Sequence, residues 1–261
     1  MYRRACAGSF HTGNGWAKPG AQTARRAQYN ESLSPVDIAF EILAFLFALS
    51  VHEAAHAWSA DRCGDPTARL LGRITLNPWP HVDVFGTILM PLAGIVSGLP
   101  VLGWAKPTPV DLSRLRHPRR DDILVTAAGP ASNFVIALAA LLLLLAVRAF
   151  SPEGGEVIRT LAFSGGRFTG DFSNATFITP LALLVYRFLF INVLLGVFNL
   201  IPIPPLDGGH IMGRLIPSSW LPAWNQIGRF SFVILIGLLY LGVPYRLFAP
   251  VLGVFHMMLG L

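Results

Sequence analysis

His52, Glu53 and His56 read HEAAH. On a helix, residues four apart share a face, so the two histidines point the same way about one turn apart. Two imidazoles so placed can hold one Zn²⁺, and Glu53 beside them can act as general base toward a water molecule. The chemistry this set implies is metal-assisted hydrolysis. The same residues would also suit a buried polar cluster or a step in a proton or ion pathway. The position favours the metal. The pentapeptide closes the run DIAFEILAFLFALSV, where ionisable groups without a partner are costly.

A catalytic zinc site takes three protein ligands and leaves one position open. A third donor at similar depth can come from FNLIPIPPLDGGH, residues 198–210, which ends another apolar run and offers Asp207 and His210. Pro202, Pro204 and Pro205 forbid regular helix there, and Gly208 and Gly209 permit close approach of the backbone. Taken alone, Asp207 before Gly208 would read as a turn or a helix N-cap.

These residues must be held by elements that live in lipid. The 261 residues are 53% hydrophobic and 13% charged, about half the charged share of an ordinary soluble domain. The apolar residues gather in runs at 37–60, 84–103, 123–147, 177–202 and 230–261. About 20 apolar residues span the hydrocarbon core, so the chain reads as an all-α polytopic membrane protein of about five to six transmembrane helices in a lipid bilayer. A short strand-like stretch, AKPTPVDL, lies between the first and third runs. The net charge of +6 sits in loops between apolar runs, which fits the positive-inside rule and argues against a nucleic-acid partner. Trp79, Trp104, Trp220 and Trp224 at the loop ends suit the water–lipid boundary. Cys6 and Cys63 read as free thiols, and there is no internal repeat.

The run at 84–103 carries Gly86, Pro91, Gly94, Gly98, Pro100 and Gly103. If it re-enters, the loop with Arg62, Arg69 and Arg73 faces the same side as the loop with Arg114, Arg116, Arg119 and Arg120, as the positive-inside rule prefers. If it spans, the two loops are opposed. The basic residues before Val36 pull the other way. Residues 1–35 have no apolar periodicity and read as a disordered tail or the product of an upstream start codon, ahead of an organellar transit peptide.

With HEAAH at 52–56, AGPASN at 128–133 and NLIPIPPLDGG at 199–209, the chain resembles the site-2 protease family of intramembrane zinc metalloproteases. HVDVFGT at 81–87 and GWAKPTPV at 103–110 are similar to its compact bacterial and archaeal branch. The resemblance covers roughly residues 36–260 and implies one integral-membrane metalloprotease domain at 36–261. It implies one zinc ion held by His52, His56 and Asp207, Glu53 as the catalytic acid/base, and Asn133 positioning substrate or transition state. Read without it, Asn133 would make an interhelical hydrogen bond. His210 and His81 are candidates for supporting roles behind the ligands. Electrostatics agree with Asp207 as third ligand, since a carboxylate halves the charge left on the ion in a low-dielectric setting.

The expected function is hydrolysis of peptide bonds in or near transmembrane segments of protein substrates, in a prokaryotic plasma membrane, with the site opening toward the cytoplasm. No peptide-binding domain fits in the loops. The rival readings are a metal-ion or proton transporter using the same cluster, and a catalytically silent membrane scaffold.

Overall fold

The computed structural model describes residues 35–90, 103–164 and 176–261. The tail expected at 1–35 lies almost wholly outside them. The first helix, α1 (Pro35–Cys63), starts on proline, carries Asp37 in its first turn and ends with Arg62, each charge matching the helix dipole. Ile38, Ile42 and Leu43 are exposed, whereas Ala44, Ala48, Ala57 and Ala60 are fully buried. Apolar-out and small-in is the pattern of a helix that packs on its neighbours in lipid, where close backbone approach drives association.

The second helix, α2 (Pro118–Phe150), has proline in its first turn, and the Asp121 carboxylate accepts the His117 N–H at 2.8 Å. These signals start it ahead of the apolar run, so Asn133 lies about four turns inside the helix and not near its beginning. Pro130 also lies within it.

α1 and α2 run antiparallel. His56 meets Val125 while His52, one turn earlier, meets Asn133 two turns later. Cys63 and the start of α2 are therefore at one end, where the Arg116 N–H donates to the Cys63 carbonyl at 3.1 Å and the Asp111 N–H to Asp65 at 2.7 Å. Both basic loops lie at that end. The stretch between them is tied at its base: Trp104 N–H donates to the Gly86 carbonyl at 3.2 Å, and Lys106 N–H to that of His81 at 2.8 Å. The chain thus leaves and returns at one place, which supports the charge argument for re-entry; residues 91–102 lie outside the described residues. Single cysteines placed at Arg69 and at Arg116 should be labelled from the same side of the membrane. Labelling from opposite sides would show that the run spans.

Between the apolar runs at 123–147 and 177–202 the structure has a further helix, α3 (Pro152–Phe163). Ser151 ends α2 and caps α3 in one step, its hydroxyl accepting the Gly154 N–H at 3.0 Å with Pro152 in the first turn. Val157, Ile158 and Leu161 are then buried against Leu141 and Leu144 of α2 and Leu183 and Tyr186 of α4 (Ile178–Asn199). Hydrogen bonds from Thr179 and Thr176 fasten Glu153 of α3 to the start of α4 and hold its carboxyl below the usual range. Deeper in α4, Arg187 is buried and paired with Asp37 of α1 at 3.2 Å, the partnering that a charge in lipid requires.

Pro202, Pro204 and Pro205 end α4, and the chain resumes as α5 (Asp207–Leu215), α6 (Leu221–Arg229), α7 (Ser231–Tyr240) and α8 (Val243–Met258). α1, α2 and α4 are long and apolar enough to cross a bilayer; α7 and α8, bent by 63°, make a fourth crossing if taken as one span. The described residues thus supply three or four spans against the five to six expected. The bend has a local cause, Gly242 at φ 67° followed by Pro244. Among the described residues there is no strand; 103–111 is irregular chain.

Candidate metal centre

His52 and His56 occupy successive turns of α1, buried, with their Nε2 atoms 3.1 Å apart. Asp207, the first residue of α5, brings Oδ2 to 3.1 Å from His52 Nε2 and 3.5 Å from His56 Nε2. Three donor atoms therefore stand at the corners of a small triangle. Ligands at zinc distances of about 2.0–2.1 Å in tetrahedral array lie about 3.3 Å from one another, so the triangle has the size of one face of a zinc site.

The hydrogen bonds behind the rings settle which nitrogens face inward. Asn133 Nδ2 donates to Asn192 Oδ1 at 2.9 Å and to the Ala48 carbonyl at 3.3 Å, leaving its Oδ1 to accept from His52 Nδ1 at 2.6 Å. His56 Nδ1 donates to the Val125 carbonyl at 2.8 Å. In a neutral ring whose Nδ1 carries the proton, Nε2 has a bare lone pair, and here the two Nε2 atoms face each other and a carboxylate oxygen. Asp207 Oδ2 is buried without a hydrogen-bond partner among the described residues. Lone pairs gathered with no proton between them repel unless a cation lies among them. The residues present fit a metal ion.

The sequence makes room for this closeness. A side chain at Gly129, in the AGPASN stretch of α2, would overlap the His56 ring and come within 2.7 Å of His52 Cε1. Gly208 and Gly209 similarly pack against the main chain of Leu200, Ile201 and Ile203. Asp122 of α2, buried, pairs with Arg214 at the end of α5 and so ties the helix that carries Asp207 to α2. Gly129→Ala should displace one or both rings and lower bound metal per chain, measured by elemental analysis. Full metal content in that variant would show that the contact can relax.

Glu53, also buried, has a carboxylate oxygen within 4.8 Å of the ligand atoms of both histidines. Its Oε2 accepts from Thr108 N–H at 3.0 Å and Thr108 Oγ1 at 2.8 Å. Asn133 has no exposed surface, and its amide is bonded to His52, Asn192 and the Ala48 carbonyl. His210 is exposed, on the wall of a cavity of about 340 Å³ that also touches Pro204, Arg214, Trp224 and Asn225. His81 is buried, but its Nε2 pairs with the Thr75 carbonyl at 3.0 Å, a loop contact outside the triangle. Thr108, Asn192 and the Val125 carbonyl are contacts that the sequence reading does not single out. Only Thr108 carries a signal, a lone residue between two prolines.

The family model of peptidase family M50 matches residues 40–238. YwhC of Bacillus subtilis (strain 168), named as a candidate zinc metalloprotease, is 34% identical over 208 residues, 80% of this chain and 81% of its own length. Rip2 of Mycolicibacterium smegmatis (strain ATCC 700084 / mc(2)155), named in the same way, is 31% identical over 76% of this chain and 65% of its own. The regulator of sigma-E protease RseP of Escherichia coli (strain K12) is 32% identical over 133 residues, 46% of this chain and 28% of its own. No solved structure gives a significant match.

Proposed function

From the chain's membership of peptidase family M50, the site-2 protease family, we propose that His52, His56 and Asp207 hold one catalytic zinc ion and that Glu53 moves the protons of peptide hydrolysis. The protein is a zinc-dependent intramembrane protease. The observation that carries the site assignment is the triangle of His52 Nε2, His56 Nε2 and Asp207 Oδ2, with each ring held from behind through its Nδ1. Zinc, when bound, supplies Lewis acidity that polarises the scissile carbonyl and acidifies water. Glu53 takes one proton from the attacking water as its oxygen adds to the carbonyl carbon. It returns that proton to the amide nitrogen as the C–N bond breaks, so it ends the cycle ionised as it began. Asn133 keeps His52 in the tautomer whose Nε2 is free; its part is support of a ligand.

Substrate is a membrane protein whose helix must unwind locally, since its own hydrogen bonds otherwise protect the target carbonyl. The irregular chain at 103–111, beside Glu53, offers a surface along which such an extended stretch can lie. The centre opens toward the cytoplasm of a prokaryotic cell: His52 is about 16 Å along α1 from Cys63, and both basic loops gather at that end. The transporter reading finds no support among the relatives, and the described residues hold one such ligand cluster rather than a series along a path. The deciding experiment is zinc analysis beside a cleavage assay in detergent, using a tagged single-span membrane protein. Zinc without cleavage of any such substrate would overturn the proteolytic reading.

A further inference from the structure

Thr108 stands between Pro107 and Pro109, neither of which has an N–H, so its own is the one main-chain donor of the three residues. That donor goes to Glu53 Oε2 at 3.0 Å, and the Thr108 hydroxyl reaches the same oxygen at 2.8 Å and the Glu53 carbonyl at 3.0 Å. Pro109 also confines Thr108 to extended backbone, which presets the direction of its N–H.

The stretch that carries Thr108 is fixed on both sides. Arg73, buried, donates to the carbonyls of Pro80, Lys106 and Pro107, and the Lys106 N–H donates to the His81 carbonyl. Beyond Thr108, the Asp111 N–H is held by the buried Asp65. A loop anchored at both ends presents two donors to one oxygen of a carboxylate placed for proton transfer. Pinning one oxygen removes rotation of the group and leaves the other for the reacting water.

We propose that Thr108 is a positioning residue for Glu53, holding one carboxylate oxygen so that the other faces the reacting atoms. The inference rests on the proteolytic reading above and deepens it. It gives the PTP triplet a task in the chemistry, in addition to closing the loop against α1. The hydroxyl is the part that a substitution can remove, and valine does so at nearly constant shape while serine retains it.

The test compares Thr108→Val and Thr108→Ser in the full chain in detergent, with a tagged single-span membrane protein that the unmodified protein cleaves. Thr108→Val should lower kcat by about 10–100-fold, the range for a lost hydrogen bond to a charged group, with KM changed by less than about twofold. Thr108→Ser should restore most of kcat. Zinc per chain, and the visible spectrum after cobalt substitution, should match the unmodified protein in both variants. Unmodified kcat in Thr108→Val, or equal impairment in the two variants, would overturn the proposal. So would loss of metal or a lowered unfolding temperature confined to Thr108→Val, because the residue would then be structural. Failure of the unmodified, zinc-loaded protein to cleave would instead count against the proteolytic reading.

Discussion

Glu53→Gln is expected to lower cleavage by roughly 10²–10⁴-fold while the protein still holds its zinc. Glutamine keeps the length and planarity of the side chain, and its amide oxygen can still accept from Thr108, so the local packing has no reason to change. What it cannot do is take a proton from water. The three donor atoms of the centre belong to His52, His56 and Asp207, whose mutual distances do not involve Glu53. Zinc analysis and a cleavage time course on the same preparation read the two effects separately. Full activity would remove Glu53 from the mechanism; loss of zinc would make it a ligand.

Asp207→Ala is expected to abolish cleavage and to lower zinc affinity by more than the 10–100-fold typical of losing a residue that supports a ligand. It is the one donor of the triangle that α1 does not supply, and its removal leaves two imidazoles without the carboxylate that offsets the ion's charge. His210→Ala is the matched control. His210 is on the same helix three residues later, exposed and against the α5–α6 cavity, so its loss should leave most of the zinc in place. Reversed zinc losses in the two variants would make His210 the ligand.

The histidine pair is legible in the sequence because a four-residue spacing has one geometric meaning on a helix. The third donor is harder, since Asp-Gly after prolines reads equally as a turn, and only the fold brings it to a helix about 150 residues away. Asn133 could be read from its neighbours but not its direction: whether an amide faces substrate or a ligand depends on which helices flank it. Here α1 and α4 enclose it. The Ser-Pro step at 151–152 and the apolar residues at 157, 158 and 161 are start and face signals for α3 that the charged residues around them obscure. Thr108 is marked by the prolines on either side of it, but its partner is 55 positions away and no local pattern identifies that partner.

The amides behind His52 form a row with a sense. The Asn192 amide donates to the Phe188 carbonyl and accepts from Asn133, which in turn accepts from the imidazole. Each link is a donor on one side and an acceptor on the other, so the row can be written in only one direction. A carboxylate of the same shape at 133 would set two acceptors against each other at Asn192 and Ala48, although nothing in its size would betray the error. Substitution at this position is therefore governed by grammar rather than volume: what must be inherited is an order of hydrogens, three helices long, that ends by turning one lone pair inward.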